Sequence, residues 1–283
     1  MTYRTLVDSE TVARRLADPT WRLFDCRHDL AKPELGARQY AEAHLPGALY
    51  AHLDRDLSAP VTGRNGRHPL PNAGALIAWL GRQGLRAGDQ VVAYDAGSGS
   101  MASRLWSMLR WVGHDAVAVL DGGIAKWLRE GRPVSAEVPA VAPSVYPGRP
   151  RDALQADAAY VAAHLGGAEM LLLDARAPER FRGAAEPIDP VAGRIPGARN
   201  RFCNENLAAD GCFKSADQLR REYAAALAGR TPAEVVHYCG SGVAACHNQL
   251  AMEIAGLPGS RVYTGSWSEW IADPTRPRQC DGA

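Results

Sequence analysis

The sequence is short of the features that would place a protein in a membrane, on a nucleic acid or outside the cell. Its first residues, Met1-Thr2-Tyr3-Arg4-Thr5-Leu6-Val7-Asp8, lack the apolar core of a signal peptide, and no later run is long enough to span a bilayer. The expectation is a cytoplasmic protein with no membrane segment. Lys and Arg number 32 against 31 Asp and Glu, a formal net charge of +1, and no basic block stands out. Electrostatics therefore gives no reason to expect a nucleic acid or an anionic membrane as partner. Six cysteines in 283 residues do not suggest a disulfide framework. Cys203 and Cys212 lack a recognised zinc spacing, and Cys239 with Cys246 is not Cys-x-x-Cys. Free thiols in a reducing compartment, with no metal, are the reading.

What is present is a soluble composition, 46% hydrophobic and 22% charged, on a chain long enough for two domains. The chain also repeats itself. Trp21-Arg22-Leu23-Phe24 runs into Asp25-Cys26-Arg27, and Met170-Leu171-Leu172-Leu173 runs into Asp174-Ala175-Arg176. His44-Leu45-Pro46-Gly47-Ala48 is echoed by Arg194-Ile195-Pro196-Gly197-Ala198. Val91 to Asp95 is echoed by Val235 to Cys239, and Asp121-Gly122-Gly123 with Trp127 by Thr264-Gly265-Ser266 with Trp270. These echoes lie 143 to 150 positions apart, a domain duplication rather than a solenoid. Pro139, Pro143, Pro147 and Pro150 mark a stiff linker. The expected organisation is a first domain over 1–137, a linker over 138–152 and a second domain over 153–283.

Each copy alternates strand and helix. Ser9 is expected to cap a helix over about 10–17, Asn72 one over 73–82 and Asp157 one over 158–165. Ser215 is expected to cap a helix over 216–228 that ends at Gly229. Strands are expected over 90–94 and 234–238. This alternation predicts an α/β fold, with a parallel sheet flanked by helices in each copy. Ligands of such sheets bind beyond the carboxyl ends of strands, where Cys239 stands.

Cys239 lies between a valine-rich strand and a helix expected over 244–255, whose inward stripe would be Leu250, Ala251, Ile254 and Ala255. Unpaired N–H groups and the positive end of the helix dipole meet at that point, an environment that favours the nucleophilic thiolate. The plain alternative is a buried cysteine ending a core strand.

Cys239-Gly240-Ser241-Gly242-Val243 resembles the active-site loop of the rhodanese superfamily of sulfurtransferases, most closely its mercaptopyruvate-type form, with Ala244 in place of a threonine. The order Asp-Ala-Arg, Ile-Pro-Gly-Ala, Tyr-Cys-Gly-Ser-Gly and Gly-Ser-Trp-Ser-Glu-Trp extends this resemblance to two tandem rhodanese-like domains over nearly the whole chain. It implies a first copy that is non-catalytic, with Asp95 where Cys239 stands, and Asp95 itself reads as a turn residue capping the next helix. In the second copy it implies transfer of sulfur through a Cys239 persulfide, from an anionic donor (3-mercaptopyruvate or thiosulfate) to a thiol or cyanide, with no cofactor. A protein thiol is a further possible acceptor. The N–H groups of Gly240, Ser241, Gly242, Val243 and Ala244 would steady the anionic sulfur.

By motif position Arg180 matches the family's substrate-binding arginine, whose planar fork grips a carboxylate. The family's second arginine, in a Glu-Pro-Arg segment, is here Ile188 in Glu186-Pro187-Ile188-Asp189, and Arg194 and Arg199 are the candidates to replace its charge. The resemblance also implies a proton relay of Ser241, His68 and Asp56. Set against the relay, His68 is a loop histidine and Asp56 a solvated turn residue. Asp174 and Arg176 read as a structural ion pair, and His247 as a packed or surface residue. A tyrosine phosphatase would need Cys-x5-Arg, and the sixth residue after Cys239 is Ala245. A non-enzymatic persulfide carrier remains the alternative.

Overall fold

Residues 2–281 are described by a computed structural model, and they form two compact units built on one plan. In the first, strands β1 (Leu6–Val7), β2 (Trp21–Asp25), β3 (Leu49–Tyr50), β4 (Gln90–Tyr94) and β5 (Val117–Leu120) form a sheet in the order β1-β5-β4-β2-β3. In the second, β6 (Gln155–Ala156), β7 (Leu171–Asp174), β8 (Arg199–Asn200), β9 (Val235–Tyr238) and β10 (Arg261–Tyr263) repeat that order as β6-β10-β9-β7-β8. All pairings between these strands are parallel. The helices of the first unit are α1 (Ser9–Arg15), α2 (Leu35–Glu42), α3 (Ala73–Arg82), α4 (Ser100–Trp111) and α5 (Gly123–Arg129). Those of the second are α6 (Ala158–Ala163), α7 (Pro178–Arg182), α8 (Ala216–Leu227), α9 (Ala244–Ile254) and α10 (Ser266–Trp270). Among the described residues no helix is long and apolar enough to cross a membrane.

Sheets covered on both faces need strands that are apolar throughout, and the central strands β4 and β9 are buried at every residue. The repeated motifs are the parts that close each core. The indoles of Trp127 and Trp270 are fully buried, and each donates its N–H to a proline carbonyl a few residues on, Pro133 at 2.8 Å and Pro277 at 2.9 Å. Truncating either to alanine would cost about 3–5 kcal/mol. Asp25 and Asp174, fully buried at their strand ends, each pair with the arginine two residues on: Arg27 at 2.6 Å and Arg176 at 2.7 Å. Each guanidinium also reaches a loop carbonyl, Ala43 and Gly193 respectively. Buried charges are tolerated only when paired and hydrogen-bonded in this way.

Caps follow the sequence at Asn72, Asp157 and Ser215, whose side chains accept from Gly74, Tyr160 and Gln218 N–H groups. At the first helix the cap is Asp8 rather than Ser9, because the Asp8 carboxylate accepts the Thr11 N–H while Ser9 already lies inside the turn. Helix α8 ends one residue early, at Ala228 in the left-handed region (φ 50°), rather than at Gly229. Helix α9 has no simple inward stripe: Ala245 to Met252 are all buried, and its polar residues are satisfied inside. Asn248 donates to Arg201 O at 2.7 Å and Gln249 to Ser260 O at 3.0 Å.

The units are not cut at a single point. The first comprises Met1–Ala59, Pro71–Arg151 and Ala209–Phe213; the second comprises Pro60–Leu70, Asp152–Ala208 and Lys214–Ala283. The stretch 138–152, expected as a linker, groups almost entirely with the first unit. Ser144, Arg149 and Arg151 donate backbone N–H groups to Gly81, Val112 and Trp111.

Candidate active site

At the carboxyl end of β9 the chain leaves the sheet through Cys239 and enters α9 at Ala244. The loop between is pinned to the start of α10: Cys239 N donates to Ser266 Oγ at 3.1 Å, Trp267 N donates to Cys239 O, and Ser268 N donates to Gly240 O. Gly242 turns the loop back with φ +80°, and a side chain there would overlap the Thr264 carbonyl. The turn aims the Gly242 N–H at Cys239 Sγ, 3.1 Å away. Cys239 is 3% exposed and packs with Cys203, Cys246, Ala175, Ala245 and Val262. Val243 is the residue before α9 and is buried; Ala244 is partly buried against the same cluster.

Ser241 and His68, both buried, are brought together by the fold, Oγ to Nδ1 at 2.7 Å across 173 residues of sequence. Asp56 lies in the first unit, where its carboxylate accepts the His52 N–H at 2.8 Å and faces Arg55 at 3.4 Å. That is the setting of a turn residue.

Arg180, on α7, is held by two carboxylates, Glu186 at 2.7 Å and Asp189 at 3.0 Å. Glu186 also takes Arg176 at 3.2 Å and the N–H groups of Ile188 and Asp189. Burial acts to raise the Glu186 acid, but these donors outweigh it and hold its pKa below the ordinary value. A Cβ placed on Gly240 would sit 3.3 Å from Arg180 Nη2, so the guanidinium lies against the cysteine loop. Ile188 is 46% exposed.

Neither arginine expected to replace the charge missing at 188 takes that place. The Arg194 head lies over the Phe181 ring at 4.6 Å and pairs with Asp281, and Arg199 donates to Ala226 O. The cation that does reach the loop is Arg67, 2.7 Å from the same Gly240 Cβ position and paired with Asp189 at 2.9 Å. Its signal in the sequence was its place directly before His68, but nothing local could say where that segment would lie.

The other thiols are set apart by their surroundings. Burial, and then the neighbouring Cys239, pushes Cys203 up to about 12, so it stays protonated. All six cysteines are free. His247 is buried, with Nδ1 at 3.1 Å from Asn206. Among the described residues one group could offer three metal-ligating atoms within 4.8 Å of each other, His28, His52 and Asp54 in the first unit, and it shares no residue with the cysteine loop. A cavity of about 230 Å³ lined by His164, Met170, Leu227 and Arg230 likewise holds none of the residues around Cys239.

Two copies of a parallel α/β unit, one with a cysteine whose sulfur takes the Gly242 N–H and whose neighbour Gly240 borders two guanidiniums, define a duplicated α/β fold. Residues 8–130 and 157–273 each match the Rhodanese-like domain, and the chain belongs to that family. It is 48% identical over 279 residues to a protein of Pseudomonas aeruginosa named "Probable 3-mercaptopyruvate sulfurtransferase", covering 98% of both chains. It is 31% identical to the thiosulfate sulfurtransferase of Bos taurus, covering 95% of this chain and 92% of that one. The solved 3-mercaptopyruvate sulfurtransferase from Leishmania major superposes with a TM-score of 0.85 at 30% identity, covering 97% of this chain and 75% of that one.

Proposed function

We propose that this protein is a sulfurtransferase that takes sulfur from 3-mercaptopyruvate and passes it to a thiol or cyanide, with Cys239 as carrier. The observation that carries the reading is the Gly242 N–H on Cys239 Sγ beside the Arg180 guanidinium. The N–H favours an anionic sulfur, and the guanidinium suits an anionic donor. In the first half-reaction the Cys239 thiolate attacks the donor sulfur. An S–S bond forms, the C–S bond breaks, and its electron pair leaves on carbon as the enolate of pyruvate. That carbon then takes a proton, and the His68–Ser241 hydrogen bond supports that pair as its source. In the second half-reaction the acceptor attacks the outer sulfur, the S–S bond breaks, and the Cys239 thiolate returns.

The donor on the sulfur is the Gly242 N–H, and the six free thiols suit a reducing, cytoplasmic setting. Asp56 is the third member of the relay in the family pattern; Asp56→Asn tests it, with a fall in kcat for mercaptopyruvate as the expected result. Thiosulfate is the second donor to consider, because guanidiniums also bind its sulfonate end.

The test is sulfur transfer to cyanide from each donor, with Cys239→Ser as control. Mercaptopyruvate turnover that vanishes in the serine variant while the fold persists supports the proposal. Turnover retained by the serine variant refutes the mechanism. Loading of Cys239 without turnover would replace the enzyme by a persulfide carrier.

A further inference from the structure

We infer that Arg67 is the second anion-binding guanidinium of this site, taking over from the Pro60–Leu70 segment the role left vacant by Ile188, and that it makes the site selective for a monocarboxylate donor. This rests on the sulfurtransferase reading and adds a residue and a substrate preference to it.

The placement is fixed from three sides. Arg67 N donates to Ser268 Oγ at 3.0 Å, tying its backbone to the helix that also pins the cysteine loop. Its Nε and Nη2 grip Asp189 at 2.9 and 3.2 Å. Asp189 accepts Arg180 Nη2 through the same Oδ2, so one carboxylate aligns both guanidiniums. A Cβ built on Gly240 would lie 2.7 Å from Arg67 Nη2, with Arg180 Nη2 and Nη1 at 3.3 and 3.5 Å. Both cations thus border the residue next to Cys239, and only glycine leaves them room. The Arg67 and Arg180 side chains keep 29% and 16% of their exposure, and their Nη1 groups make no hydrogen bond among the described residues. Those edges are the donors a ligand would meet.

Charge decides which anion fits. Arg67 and Arg180 are balanced by Asp189 and Glu186, and Arg176 by Asp174, so the network is formally neutral before a donor arrives. A monocarboxylate adds one negative charge to two forks that can share it. Thiosulfate, a dianion, adds two. The arrangement therefore favours 3-mercaptopyruvate, although position 188 lacks the family's arginine.

The experiment compares wild type, Arg67→Met, Arg67→Lys and Asp189→Asn in steady-state transfer from 3-mercaptopyruvate and from thiosulfate, together with direct titration of each protein with pyruvate. Arg67→Met is expected to raise KM for mercaptopyruvate and Kd for pyruvate roughly 10- to 100-fold, the loss of one charge-assisted fork, with a smaller change for thiosulfate. Arg67→Lys should recover part of that loss, since it keeps the charge but not the fork. Asp189→Asn keeps an acceptor for both guanidiniums and should raise KM for mercaptopyruvate by less than Arg67→Met does. If Arg67 only braces the loop through Asp189, Asp189→Asn will raise KM as much as Arg67→Met, and that result overturns the inference. So does a KM within twofold of wild type in Arg67→Met. Arg67-dependent pyruvate binding without sulfur transfer would instead overturn the sulfurtransferase reading and leave this inference standing.

Discussion

Asp95 and Cys239 stand at the same point of two copies of one strand–loop–helix junction, and they use the loop differently. In the first unit the Asp95 carboxylate is 2% exposed and accepts the N–H groups of Gly97 and Gly99 at 2.9 Å, Met101 at 2.8 Å and Ala102 at 3.3 Å. It fills the turn with its own oxygens, and it caps α4. In the second unit the residue is a sulfur that accepts the Gly242 N–H at 3.1 Å and brings no second oxygen with it. The comparison teaches that the junction is an anion cradle in both copies. One copy is filled by its own carboxylate; the other turns an N–H toward the Cys239 sulfur, the arrangement the proposed persulfide would use.

The largest effect should come from making the second loop resemble the first. Cys239→Asp is expected to abolish transfer, leaving no turnover above background from either donor, while the melting temperature stays within a few degrees of wild type. A collapse of the fold would show that the two cradles are not equivalent. Next in size, Gly242→Ala forces a side chain to φ +80° against the Thr264 carbonyl, a strain of about 1–3 kcal/mol. Transfer should fall roughly tenfold or more because the N–H no longer aims at sulfur. Wild-type kinetics in that variant would remove Gly242 from the argument.

Asp95→Ala should leave the chemistry alone and cost stability, about 3 kcal/mol for buried N–H groups stripped of a charged acceptor, read as a shift of the first urea transition. The smallest effect concerns the strands below the loops, where fully buried His237 in β9 occupies the place of Ala93 in β4. Burial lowers its pKa to about 3 from 6.5. The unfolded chain therefore takes up a proton across that window while the folded chain does not, so stability present above pH 6.5 is lost as pH falls toward 3. The slope approaches about 1.4 kcal/mol per pH unit inside the window. His237→Leu should flatten the dependence of the urea midpoint between pH 7 and pH 4.5; an unchanged dependence would show that His237 protonates in the folded state.

The duplication was legible because the echoes are the residues that close the cores. Trp127 and Trp270 fill equivalent positions, the Tyr94 hydroxyl accepts the Leu45 N–H, and the Tyr238 hydroxyl accepts the Ile195 N–H. The cysteine loop was legible because strand, glycine turn and helix are consecutive. Arg67 was not, since its partner Asp189 is 122 residues away and no local pattern encodes that meeting. The burial of α9 was missed for the opposite reason: His247, Asn248 and Gln249 look like a solvent face, but long-range partners satisfy them inside. Arg194 and Arg199 were plausible by distance along the chain and failed by direction.

The Pro60–Leu70 segment, which carries Arg67 and His68, belongs structurally to the second unit although it interrupts the first in sequence. The two units are therefore not separable by a single cut in the chain. A gene shortened to its second half would encode the cysteine, the sheet and Arg180, but not the histidine or the second arginine. The second unit is thus encoded by separate stretches of the chain, and no contiguous second half contains all of it.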